Sequence, residues 1–167
     1  MKYKAGDIAY QDMNLLISIL LRYPEAVSVR YIPQDNALDF VFLFDIQDNT
    51  SQDILDILPQ ALAVYHHLEQ REMRLCQVEI QSEEGIGKFV VRRDVESITK
   101  NEVGLIVEMV KGAFGFSMIY EEAELPEDER LYQEEMIGYV LESMRNAEID
   151  KNFIALREEG KVMLFHS

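Results

Sequence analysis

Three times along this chain, two short segments of strand character flank a cluster of turn residues, and each pair follows a segment with helical periodicity. Residues 27–32 and 38–45 flank Pro33-Gln34-Asp35-Asn36. Residues 75–81 and 88–93 flank Glu83-Glu84-Gly85-Ile86-Gly87, and residues 153–157 and 161–165 flank Glu158-Glu159-Gly160. Runs of period two closed by such residues are hairpin signals. Hairpins separated by helices predict an α+β fold, a two-layer domain whose antiparallel sheet is built from three β-hairpins and packed with about four helices. The expected order is helix, hairpin, helix, hairpin, helix, helix, hairpin. No residue-level identity between the three copies establishes a duplication.

Segment 99–114 reads as the central helix. Thr99 and Glu102 have the spacing of a capping box, in which hydroxyl and carboxylate each satisfy an orphan backbone N–H. Val103, Leu105, Ile106, Val107, Met109, Val110, Ala113 and Phe114 leave a polar stripe of only Gly104, Glu108, Lys111 and Gly115. A helix with so narrow a polar edge is buried over most of its circumference. Gly112 and Gly115 mark its end.

Segment 7–23, with Asp7 as N-cap and Pro24 preventing continuation, is similar. Asn14, Ser18 and Arg22 form its polar stripe. Either both helices lie deep in one core, or one packs against another chain. On the second alternative the interface candidates are Leu16, Ile17, Leu20, Ile106 and Val110.

Ile54, Ile57, Leu58, Ala61, Leu62, Tyr65 and Leu68 define a further helix, opened by Thr50 with Asp53. Pro59 inside it predicts either a kink or two short helices. Met136, Ile137, Val140, Leu141 and Met144 define the fourth helix, preceded by an acidic connector around Pro126. Residues 116–120 read as a short strand. Phe40, Phe42 and Phe44 share one strand face, the usual pattern of a core face. Cys76, Val78 and Ile80 alternate with Gln77, Glu79 and Gln81, as in a sheet with one solvated side.

At 167 residues the chain is long enough for a single domain with a substantial core, with residues 1–120 as a possible nucleus and 126–167 as an appended helix and hairpin. Its net charge is −15, with the acids spread among apolar segments. That distribution suits a solvated, self-repelling surface. Nucleic acid is not an expected partner, because Lys88, Arg92 and Arg93 are the nearest approach to the basic cluster that phosphates need. An acidic decoy of nucleic acid would need carboxylates arrayed at phosphate-like spacing on one face, and the acidic connector 121–129 is too local to supply them.

The apolar run 15–21 is too short to cross a membrane, so no membrane association is expected. Asp7 and Asp12 argue against a signal peptide. One cysteine, Cys76, excludes an internal disulfide and points to a reducing compartment, hence a cytoplasmic protein.

No reactive constellation is legible. His66 and His67 project about 100° apart on a helix and read, with His166, as surface residues without a metal role. The carboxylates Asp45, Asp48, Asp53 and Asp56 surround the loop after the Phe-rich strand. They are the only candidates for a divalent metal, with Asp45, Asp48 and Asp53 first among them, although the run lacks the glycine and closing glutamate of a calcium loop. Gly85-Ile86-Gly87 is too short, and its flanks too acidic, for a phosphate cradle. No cofactor is expected.

The hairpin VEIQSEEGIGKFVVRRDV and the helix TKNEVGLIVEMVKGAF, within residues 75–124, resemble the second half of type III secretion chaperone-like domains, small acidic proteins with helices on a twisted antiparallel sheet. The resemblance extends over residues 1–124 at most, departs at Pro59, and carries no functional residues over. It implies dimerisation and the binding of a partner segment. The reading that follows is a non-catalytic protein-interaction or chaperone-like module, self-associating as a homodimer and binding a protein or peptide partner. The alternative is a small divalent-metal-dependent enzyme or ligand-binding domain using the acidic loop.

Overall fold

The structure, a computed structural model, describes residues 5–46, 53–145 and 149–166, with side chains of the first helix from residue 13 onward. The order of elements is α1 (Ala5–Arg22), β1 (Ser28–Ile32), β2 (Ala37–Asp45), α2 (Ile54–Leu68), β3 (Cys76–Glu83), β4 (Ile86–Asp94), α3 (Lys100–Phe114), β5 (Met118–Ile119), α4 (Glu127–Met144), β6 (Phe153–Glu158) and β7 (Lys161–His166). This is the α+β two-layer arrangement of three hairpins and four helices that the periodicities predict.

The hairpins join into one antiparallel sheet in the order β3-β4-β2-β1-β6-β7, and β5 adds to β2 beyond the end of β1. The first hairpin therefore sits at the centre, with the other two on its flanks. α4 packs against α1 and β6 pairs with β1, so the last helix and hairpin share the sheet and core of the rest.

Strand alternation sorts the side chains. Val29, Tyr31, Leu38, Phe40, Phe42, Phe44, Phe89, Val91, Phe153 and Ala155 form a single buried cluster with residues of all four helices. Cys76, Val78 and Ile80 pack against it at one edge. Phe44 stacks on Phe114 with ring centroids 4.2 Å apart, and Phe89 lies 5.6 Å from Phe114, so β2 and β4 seat the end of α3. Residues of opposite parity point away from this cluster.

Both helices with narrow polar stripes lie in this one core. Leu16, Leu20, Ile106 and Val110 are fully buried within the chain and Ile17 is half-buried. The four buried side chains fill the interior rather than present a surface to another chain. Their polar stripes are narrow because α1 is enclosed by the sheet and α4.

Several local details differ from the sequence reading. α2 runs without interruption from Ile54 to Leu68 through Pro59, not as two short helices. Its buried face is Ile54, Leu58, Leu62 and His66, whereas Ile57 and Leu68 are exposed. α3 passes through Gly112 and is closed by Gly115, which adopts a positive φ of 53°. The second hairpin turns on Glu84 and Gly85 alone, both with positive φ, and Gly87 already lies in β4.

Gly87 pairs with Phe44 across the strands, and a Cβ placed on it would sit 2.2 Å from Phe44 Cζ. The ring is held by its stack on Phe114, so it has no cheap retreat. Gly87→Ala is therefore expected to destabilise the fold by roughly 1–3 kcal/mol through overpacking, read as a lower midpoint in urea denaturation.

Candidate functional site

The most heavily buried polar groups gather where α2 and α3 meet the β3–β4 hairpin. Arg93 and Glu102 are fully buried, His66 is 1 % exposed, and Asp94 and Ser97 are nearly as enclosed. Each is placed by an ordinary periodicity. Phe89 and Val91 face the core, so Arg93 two residues on does the same. Ile54, Leu58 and Leu62 recur every four residues, and the next position is His66. Glu102 lies in the first turn of α3, capped by Thr99, whose hydroxyl accepts the Glu102 N–H at 3.2 Å. Tyr65 shares a hydrogen bond of 2.8 Å with the same hydroxyl.

Only half of the expected capping box is realised. The Thr99 hydroxyl does its part, but the Glu102 carboxylate turns inward. It accepts from Arg93 Nε, from Arg93 Nη2 at 3.0 Å, and from His66 Nε2. With a carboxylate as acceptor, His66 Nε2 is the donor of this bond. Nδ1 is buried and without a hydrogen-bond partner among the described residues.

The remaining Arg93 hydrogens go to Asp94, to the Leu75 carbonyl at 2.6 Å and to Ser97 Oγ at 3.2 Å. Asp94 in turn accepts from the Leu75 N–H at 2.9 Å, the Ser97 N–H at 2.8 Å and the Ser97 hydroxyl at 2.7 Å. One guanidinium thus ties two helices to a hairpin, and its donors are satisfied in the way a buried charge requires.

The electrostatics follow from this packing. Burial works against the charge on Arg93, but the Glu102 and Asp94 carboxylates outweigh it and leave its pKa raised. For Asp94, burial is likewise the largest effect. It is overcome by hydrogen bonds from Ser97 and Leu75 and by Arg93, so its pKa is lowered. Cys76 lies opposite Arg93 on β3, and burial, with only partial relief from Arg93, pushes its thiol up. It is held protonated and is a poor nucleophile. A closed network of this kind is a tertiary clamp, out of reach of substrate.

His66 is therefore not a surface residue: its ring fills the interface between α2 and α3. His67 and His166 are exposed. In the acidic loop, Asp45 is half-buried at the end of β2, Asp53 and Asp56 are exposed at the start of α2, and Asp48 and Thr50 lie outside the described residues. Among the described residues no group of three or more His, Cys, Asp or Glu side chains is arranged to hold a metal ion, and no helix is long and apolar enough to cross a membrane.

The sheet face opposite the helices is the second notable surface. The strand registers set its rows. One runs Gln77, Arg92, Asp39, Arg30, Ile154 and Phe165, and the next runs Glu79, Val90, Val41, Ser28, Leu156 and Met163. Asp39 is buried at the middle of the first row, held by Arg92 at 2.7 and 2.9 Å and by Arg30 at 3.5 Å. On the β3 side of this ion cluster the exposed side chains are Gln77, Glu79, Gln81 and Glu83. On the β6–β7 side they are Ile154, Leu156, Met163 and Phe165, partly or half exposed. The face is acidic at one end and apolar at the other.

Comparison with protein-family models, curated proteins and solved structures finds no match for this chain.

Two outcomes test the clamp. Arg93→Met strands the Glu102 carboxylate without its counter-ion and is expected to cost roughly 3–5 kcal/mol in urea denaturation. Adding Glu102→Leu is expected to recover part of that loss. The second concerns pH. Because the folded Asp94 pKa lies below its unfolded value of about 3.9, the unfolded chain takes up the proton first on acidification. The stability from Asp94 is thus present above pH ~4 and lost as pH falls through the folded value. The stability gap between wild type and Asp94→Asn is expected to narrow below pH ~4.

Proposed function

We propose that this protein is a non-catalytic interaction module that self-associates and holds an extended segment of a protein partner on the open face of its sheet. The observation that carries the reading is the apolar half of that face. Ile154, Leu156, Met163 and Phe165 stand together on β6 and β7 with no helix over them among the described residues, in a chain rich in acids. A contiguous apolar area rimmed by polar groups is the usual mark of an interaction site.

Arg30 and the buried Asp39 border the area, so a bound segment meets an orienting charge pair at its side. The resemblance to type III secretion chaperone-like domains points the same way. The half-buried, protonated Cys76 thiol suits a reducing, cytoplasmic setting.

A labelled peptide of alternating valine and lysine tests this reading against a scrambled peptide of the same composition. The alternating peptide presents one apolar face to the sheet, and both carry the same charge toward the acidic chain. Fluorescence anisotropy is expected to show preferential binding of the alternating peptide, weakened about tenfold, or roughly 1.4 kcal/mol, by Leu156→Gln. Equal binding of the two peptides, or no effect of the substitution, overturns the proposal.

A further inference from the structure

We propose that the outer edge of β7 is the self-association surface, pairing antiparallel with β7 of a second copy so that two sheets merge into one across a twofold axis. The proposal deepens the interaction-module reading by giving its self-association a place. It does not depend on peptide binding to the open face.

The sheet has two edges, and they are built differently. Strand edges expose unpaired backbone groups, and proteins discourage pairing there with charged side chains. β3 follows that rule: Gln77, Glu79, Gln81 and Glu83 are exposed along its outward-facing parity, so two β3 edges would bring carboxylates together. β7 does not follow it. Its sequence, Lys161, Val162, Met163, Leu164, Phe165 and His166, contains no acid and four consecutive apolar residues, and Phe165 is 50 % exposed. Among the described residues no strand pairs with its outer edge.

Charge complementarity along the edge selects a second copy as the occupant, because an antiparallel register brings the basic end of β7 to the acidic turn of the other copy. At −15, most approaches of two copies are repulsive. Screening over about 8 Å at physiological salt leaves the local charge to decide: β7 itself holds Lys161 and His166 and no acid, whereas the turn before it holds Glu158 and Glu159.

A twofold axis perpendicular to the sheet keeps both helical layers on the same side and pairs residues of the same parity. Centred on Met163, it sets Met163 against Met163, Val162 beside Leu164, and Lys161 beside Phe165. His166 of one copy then falls by the Glu158-Glu159-Gly160 turn of the other. No like charges face each other across the junction. Such an isologous contact closes after two copies, whereas joining β7 to β3 runs on without end. The six-residue edge is ~20 Å long. This is modest beside the roughly 800 Å² per partner of a standard interface, so the dimer is weak and concentration-dependent.

Sedimentation velocity of the full chain, from low to high micromolar concentration, tests the pairing. The wild type is expected to shift from monomer mass to twice that mass. Met163→Glu, which sets two carboxylates opposite each other at the axis, is expected to remain monomeric with an unchanged circular dichroism spectrum. Gln81→Glu on β3 is expected to dimerise like the wild type.

A second measurement stands independently of how the glutamate variant folds. Met163→Cys combined with Cys76→Ser is expected to form a disulfide-linked dimer on mild oxidation. A wild type that stays monomeric, a dimer indifferent to Met163→Glu, or no crosslink through position 163 each overturns the proposal. A monomer that still prefers the alternating peptide separates failure of this pairing from failure of the interaction-module reading.

Discussion

The ion pair of Arg93 with Glu102 is the constraint on which the arrangement of this molecule depends. A guanidinium and a carboxylate withdrawn from water are costly unless nearly every hydrogen and lone pair is matched. Here the match is made by residues from four places: the β3 entry at Leu75, the β4 exit at Asp94 and Ser97, the first turn of α3, and the last turn of α2 through His66. Moving any of these elements breaks hydrogen bonds to a charge that cannot reach solvent. Hydrophobic packing tolerates small sliding of helices on a sheet, whereas a buried guanidinium fork does not. The clamp thereby selects one relation between the α2–α3 pair and the β3–β4 hairpin from those that the apolar core alone permits.

The other half of the fold is held differently. α1 lies against α4 and over β1 and β6, and its buried residues are almost all aliphatic. The polar ties there are few and peripheral. Arg22 reaches Glu134 at 2.7 Å while lying 4.5 Å over the Tyr23 ring, and Arg157 donates to the Leu20 carbonyl. Burial lowers the Arg157 pKa, since it lacks the matched carboxylates that Arg93 enjoys. The sheet thus joins a polar-locked end at β3–β4 to an apolar end at β6–β7. Its uncovered face shows the same division, acidic toward β3 and apolar toward β7.

Much of this was legible from residue order. The three hairpins, the four helices, the core face of Phe40, Phe42 and Phe44, and the Thr99 cap all appear where period and turn residues place them. The misreadings have identifiable causes. His66 reads as a surface residue because it is polar and stands beside His67, although the four-residue spacing from Ile54 puts it on the buried face. Arg93 reads with Lys88 and Arg92 as the nearest approach to a basic cluster, although the parity of β4 separates it from Arg92. Glu102 reads as part of a backbone cap because its position fits one, and nothing within the helix reveals that Arg93 competes for the same carboxylate.

What the sequence determined by itself is local: which segments are helix or strand, where they turn, and which face of each is apolar. These follow from the 3.6- and two-residue periods and from the backbone preferences of Gly, Pro, Asn and Asp, all of which act within a few residues. Tertiary structure alone decided the strand order, the enclosure of both apolar helices in one core, and the meeting of His66, Arg93 and Glu102. It also left β7 at an edge. Each of these depends on contacts between residues far apart in the chain, where many pairings satisfy the local pattern. The pairing adopted is one that buries the apolar faces together and matches the buried charges.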